Sequence, residues 1–203
     1  MKSLVRTITI LARTITILAR TITILALLTV FVQASHALTS PDTPTVKGWT
    51  VEQGSWTVKG KNLSGSGVSA EIVSTSIFPS DRTFTVTMTT VNAGSQSYYV
   101  AWATGKFVDD SDRSIFLIHT DGTLEFTVSQ AGLSHFTSLP STLSPFTPHK
   151  IQLTYLGNEG KASVDGVQYF DLTDPFIGAL GNSPVQLVSW GPSSSTFSSP
   201  TVT

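Results

Sequence analysis

From Lys47 to its end the chain repeats one pattern: short runs in which apolar side chains alternate with Ser, Thr or charged ones, cut at even intervals by Gly, Pro, Asn or Asp. Phe84, Val86 and Met88 alternate with Thr85, Thr87 and Thr89. A period of two puts one set on each face of an extended segment, as a strand with one buried side requires. Trp49, Val51, Trp56 and Val58 also follow alternation, broken at Gly54, Gly60, Gly65 and Gly67, which predicts two short strands and a Gly-rich turn. The pattern excludes a helical bundle and predicts an all-β domain of about eleven to thirteen short strands, with no amphipathic helix.

The turns order these strands. A strand is predicted over 68–78, ended by Pro79-Ser80-Asp81, and a turn at 92–95. Tyr98 to Ala103 (YYVAWA) is apolar on both faces and predicts a central strand, followed by a polar loop, FVDDSDR. SIFLIHT and TLEFTVS are joined through Asp121-Gly122, and IQLTYL and KASVDGVQYF flank Gly157-Asn158-Glu159-Gly160; both read as hairpins. Residues 130–149, with Pro140, Pro145 and Pro148, and residues 171–184 read as loops, and VQLVSW and TFSSPTVT close the chain. Strand alternation predicts that Val86, Met88, Phe116, Ile118, Phe126, Ile151, Leu153, Val164 and Leu187 face inward.

Residues 1–37 differ from all of this. Lys2, Arg6, Arg13 and Arg20 are basic, no acid precedes Asp42, and the heptad RTITILA occurs three times in tandem. The uninterrupted run TITILALLTVFVQA has the length of a signal-peptide core and is short for a membrane span. Small residues predict cleavage after Ala37, or alternatively after Ala34. The expectation is a signal peptide at 1–37, a Pro/Thr-rich linker at 38–46, one domain over 47–203, a secreted product and no stable membrane insertion after cleavage. Heptads of alternating Thr and Ile are poor material for the rival coiled coil.

Removing the signal leaves 8 basic and 13 acidic residues, a net of about −5. A mildly acidic domain with no basic cluster is not built for nucleic acid. The chain has no Cys, which excludes thiol catalysis and zinc–thiolate sites. Asn62-Leu63-Ser64 is a glycosylation sequon, which matters only in a eukaryotic secretory route.

Four stretches carry a resemblance: GSWTVKGKNLSGSG at 54–67, SIFLIHTDGTLEFTV at 114–128, HKIQLTYLGNEGKASVDGVQYF at 149–170 with its Val164-Asp165-Gly166 turn, and the closing VQLVSWGPSSSTFSSPTVT. In order and spacing they resemble the concanavalin A-like lectin/glucanase superfamily, and within it laminin-G-like secreted domains and the domain named 3-keto-disaccharide hydrolase. The resemblance implies a two-sheet antiparallel jelly-roll sandwich. Its motifs are structural, so they speak to fold and not to activity.

Glycanases of that superfamily carry carboxylates at alternate positions of one strand, as Glu-x-Asp-x-x-Glu. Alternate residues share a face, and retaining hydrolysis needs two carboxyl groups about 5–5.5 Å apart. Glu52, Glu71, Glu125 and Glu159 have no acid two residues away, so the motif is absent. His36, His119, His135 and His149 are scattered, and there is no G-x-S-x-G nucleophile elbow. No catalytic residue is assigned. Asp110 and Asp112, in the run Asp109-Asp110-Ser111-Asp112, are candidate Ca²⁺ ligands at a loop rim, or else a solvated turn.

Aromatic side chains are the better lead, since flat rings stack on sugars. Trp49, Trp56, Tyr98, Tyr99, Trp102 and Trp190 are available. Tyr98 shares parity with Val100 and Trp102, so Tyr98 and Trp102 are the candidate ligand-binding pair on a concave face. The expected function is non-catalytic recognition or adhesion, with a glycan or an extracellular surface component as partner. A glycoside hydrolase of the 3-keto-disaccharide type and a purely structural domain are the alternatives.

Overall fold

The computed structural model describes residues 46–92, 98–191 and 193–203. The predicted signal peptide, the predicted linker apart from Val46, and the predicted turn at 92–95 apart from Asn92 lie outside the described residues.

The first six strands are β1 (Trp49–Lys59), β2 (Asn62–Ser74), β3 (Arg82–Asn92), β4 (Ala101–Phe107), β5 (Arg113–Ile118) and β6 (Leu124–Gln130). Then follow β7 (Leu133–Leu139), β8 (His149–Leu156), β9 (Glu159–Val164), β10 (Val167–Thr173), helix α1 (Pro175–Ala179), β11 (Gln186–Trp190) and β12 (Ser194–Val202). All pairings between these strands are antiparallel, in the order β10-β9-β8-β3-β12-β2-β11-β4-β5-β6-β7, with β1 beside β2.

One strand explains how this order makes two sheets. The first half of β2 pairs with β12 and the second half with β11. Its partner β1 shifts register around Gln53 and Ser55, and Gly54 and Gly67 adopt positive φ of 75° and 136°. That backbone suits glycine and bends the hairpin. The β1–β2 hairpin therefore belongs to both layers: β10-β9-β8-β3-β12 continues from one end and β11-β4-β5-β6-β7 from the other.

The layers close on a common core. Phe170 of β10 meets Phe116 of β5 and Phe126 of β6 at ring-centroid distances of 6.1 and 6.0 Å. The buried hydroxyls of Ser114 on β5 and Tyr155 on β8 are hydrogen-bonded at 2.6 Å. The nine residues that alternation places inward are all buried. The result is the two-sheet antiparallel jelly roll that the resemblance implies.

Several local expectations need correction. The segment 130–149 contains β7, a strand exposed along nearly all its length. Residues 171–184 hold the end of β10 and the one helix among the described residues. Asp174 caps that helix by accepting from Phe176 N–H, and Pro175 opens it. The predicted strand at 68–78 is the second half of β2, which ends at Ser74. Residues 49–59 form one bent strand rather than two. The central strand begins at Ala101, not Tyr98, and continues through Lys106 to Phe107.

Arg82 pins the two sheets at one end. It sits on β3, buried, and its guanidinium donates to the carbonyls of Gly105 (3.0 and 2.5 Å), Ser183 (2.7 Å), Phe78 (3.1 Å) and Pro79 (3.0 Å). Beside it Lys106, also buried, donates to Ser80 Oγ and the Ile177 carbonyl, each at 2.9 Å. Burial and then the Arg82 charge push the Lys106 ammonium down to about 8.

Candidate functional site

The outward side of the β11-β4-β5-β6 sheet should be solvated, yet Trp102, Leu117 and Val188 on it are buried and form an apolar cluster of their own, with Ile115 against it. Register explains the cluster. Val188 is opposite Trp102, and Trp102 is opposite Leu117. The same row runs on to Glu71 on β2 at one end and Glu125 on β6 at the other. The next row carries Gln186, Thr104, Ile115 and Thr127.

This face bounds a cleft of about 660 Å³, within the range of small-molecule sites. Trp102 and Trp190 form part of its wall, with ring centroids 5.5 Å apart and planes tilted by 36°. Trp190 is 42% exposed and Trp102 lies beneath it. Tyr99, Val68 and Gln53 complete the apolar side and rim, and Asp110 and Arg113 stand at the mouth.

The two row-end glutamates differ. Glu125 is hydrogen-bonded to His119 Nε2 at 3.0 Å and accepts from Thr127 Oγ1 at 2.7 Å. Mainly through the His119 bond, its carboxyl is held below the usual range despite partial burial. His119 is in turn stacked on Tyr98, with centroids 4.0 Å apart, and meets the Tyr99 ring edge-on. Burial and then the Glu125 charge push the Tyr99 hydroxyl up. Glu71 accepts from Ser69 Oγ at 2.8 Å and from Gln186 Nε2 at 3.3 Å. Four strand spacings separate Glu71 from Glu125, about 19 Å along the sheet. Hydrolysis by paired carboxyls needs about 5 to 10 Å.

Of the residues singled out in the sequence, Trp102 lines the cleft and Tyr98 does not; Tyr99 stands there instead. The strand begins at Ala101, so the alternation that aligns Tyr98 with Trp102 does not extend to Tyr98, and it is Tyr99 that lines the cleft. Trp56 is core, against Phe197, and Trp49 packs on the core. Asp110 is paired with Arg113 at 2.9 Å, at the cleft mouth. Asp112 accepts from Ala131 N–H (2.5 Å) and Ser111 Oγ (3.4 Å). The two carboxylates are thus committed to different protein donors. Among the described residues no three His, Asp or Glu side chains gather as a metal would require.

Another constellation was hidden by its distance in sequence. Asp165 Oδ2 meets His149 Nδ1 at 2.7 Å, and His149 Nε2 meets Thr147 Oγ1 at 2.8 Å. This has the outline of an acid–base–nucleophile chain. However, Thr147 Oγ1 donates to the Ser144 carbonyl, which also lies 3.1 Å from His149 Nε2. A hydroxyl whose proton is held by a carbonyl is not being activated by the ring, so the group reads as a pin for the β8 entry.

No protein-family model and no curated protein matches the chain. Solved structures do. The chain is similar to the carbohydrate binding module CBM66 from Bacillus subtilis, with a TM-score of 0.64 and 15% identity, covering 76% of this chain and 94% of that one. It is similar to the Bacillus licheniformis beta-glucanase, with a TM-score of 0.57 and 12% identity, covering 79% and 94%. It is also similar to a prokaryotic beta-1,3-1,4-glucanase (lichenase) derived from a mouse hindgut metagenome, with a TM-score of 0.58 and 12% identity, covering 77% and 93%. At such identities the likeness is one of fold, and the fold is the concanavalin A-like jelly roll.

Proposed function

We propose that this domain is exported by its N-terminal segment and binds a neutral carbohydrate, without cleaving it, in the cleft on the outer face of β2, β11, β4, β5 and β6. One observation carries the reading: an open face of the sheet keeps a cleft walled by Tyr99, Trp102 and Trp190, with single carboxylates at its two ends. Aromatic faces stack on the C–H surface of a sugar ring, and separated acceptors take hydroxyl protons from it. Asp110 and Arg113 neutralise one another at the mouth, so Glu71 and Glu125 leave the cleft negative and unsuited to acidic sugars. The similar structures, a carbohydrate-binding module and two glucanases, support a carbohydrate ligand and leave binding and cleavage open.

A glycoside hydrolase, including the 3-keto-disaccharide type, is the second reading. Glu125, oriented by His119 and Thr127 inside the cleft, is the observation that favours it. A glycan array probed with the purified protein, followed by product analysis on each sugar that binds, separates the two. Binding to neutral glycans without product release is expected. Turnover abolished by Glu125→Gln would replace the binding reading with the hydrolytic one.

A further inference from the structure

Three strands, β1, β7 and β10, end the sheets. Two of them are protected against pairing with another chain. β1 carries Glu52 and Lys59 and two register shifts, and β10 carries Asp171 and a shift between Gln168 and Phe170. Charges and bulges of this kind block edge-to-edge association. β7 has neither. It pairs with β6 in unbroken register from Leu124–Leu139 to Gln130–Leu133, and no Asp, Glu, Lys or Arg occurs between Glu125 and Lys150. Phe136 is 71% exposed and Leu133 64%.

We propose that β7 is a self-association edge: two copies of this chain join by antiparallel β7–β7 pairing about a two-fold axis through Phe136. The backbone supports this register. Ala131 and Gly132 both have positive φ, 51° and 78°, so β6 and β7 are joined by a tight two-residue turn of the primed type. Gln130 and Leu133, which flank such a turn, are a hydrogen-bonded pair, and pairs alternate from there. Leu133, His135, Thr137 and Leu139 therefore direct their backbone groups to β6. Ser134, Phe136 and Ser138 direct theirs outward, and no described residue pairs with that edge.

A two-fold axis through Phe136 sets its N–H and C=O against those of the second copy's Phe136. It also sets Ser134 against the second copy's Ser138, and the reverse. Every outward group on these three residues then has a partner. The side chains agree with the backbone, because Leu-Ser-His-Phe-Thr-Ser-Leu reads nearly the same in both directions. Leu meets Leu, Ser meets Ser, Phe meets Phe, and the one departure from symmetry, His135 against Thr137, brings no like charges together. Self-pairing of β10 would not share that neutrality. The charge-free edge favours a second copy over a charged partner, and an isologous contact closes at two chains. Phe136 lies opposite Thr127, a residue of the cleft, so both clefts would open on one continuous sheet face.

Sedimentation of the protein purified after expression of the full chain tests this, over about 1 to 300 µM, where modest strand pairing registers. A reversible monomer–dimer equilibrium is expected, and Phe136→Lys, which sets two ammonium groups on the axis, should weaken it at least about tenfold. The chain has no Cys, so Phe136→Cys gives a geometric readout. Hydrogen-bonded cross-strand Cα atoms lie about 5.5 Å apart, within disulfide range, so mild oxidation should cross-link this variant. Leu156→Cys, exposed on β8, should not cross-link. A protein monomeric throughout, association indifferent to Phe136→Lys, open-ended polymers, or equal cross-linking of the two thiol variants would each overturn the proposal.

Discussion

Replacing Arg82 by Met should destabilise the domain severely although no apolar contact of the core is removed. Arg82 is 4% exposed, and its guanidinium serves carbonyls on both sides of the sandwich: Gly105 on β4, Phe78 and Pro79 before β3, and Ser183 before β11. Removing it leaves at least the Gly105 and Ser183 carbonyls buried without a donor. Each such group costs about 1–3 kcal/mol, offset in part because the buried cation itself no longer has to be desolvated. The net expectation is a loss of about 3–5 kcal/mol, on the order of 10 °C in Tm for a domain of this size. Arg82→Lys should recover only part of this loss, since one ammonium cannot reproduce the fork. Urea denaturation followed by tryptophan fluorescence measures both variants. A loss below about 1 kcal/mol for Arg82→Met would mean that the carbonyls find water and that the guanidinium does not hold the two sheets together.

Phe126→Ala should cost about 3–5 kcal/mol in the same assay, since its ring is fully buried against Phe170; under about 1 kcal/mol would mean a wrong register. Stability should rise from about pH 8 to 10: Lys106 is held near 8 in the fold, so the unfolded chain binds the extra proton, and Lys106→Met should abolish that slope. Above about 10 the trend should reverse, because burial pushes the Tyr155 hydroxyl up to about 12 and the folded state then holds its proton longer. On the acid side, Glu125 and Asp165, both lowered chiefly by bonds to His119 and His149, contribute stability that is present above the ordinary carboxylate range and lost as pH falls below it; a denaturation series from pH 6 to 3 reads this out. N-terminal sequencing of secreted material should begin near Ser35 or Leu38, and intact Met1 in a membrane fraction would contradict export.

Period-two alternation carries far in this chain because one face of most strands is buried. Phe84, Val86 and Met88, or Ile151 and Leu153, show their face in the sequence itself. The Asp165-Gly166 turn shows its geometry too, with φ of 51° and 84° at the two residues. Alternation is silent where neither face is buried, which is why β7 reads as a loop. The five-residue α1 is too short for a helical period, and only Asp174-Pro175 marks it. The cleft was only half legible. Trp102 followed from parity on a central strand, but Tyr99 replaced Tyr98 because the strand starts later than its apolar run. The row from Glu71 to Glu125 depends on five strands whose neighbours are set by the β1–β2 bend, and no local pattern encodes that order.

Carbohydrate binding at the aromatic wall is decided by calorimetric titration of a neutral oligosaccharide, selected by array, into wild-type protein and Trp190→Ala. Trp190 is half-exposed and its side chain lies outside the main core, so folding should be retained. Saturable binding to the wild type is expected, and at least about tenfold weaker binding to the variant, the roughly 1.4 kcal/mol that one stacked ring supplies. Equal affinity in the two proteins, or no neutral saccharide that binds, would contradict it.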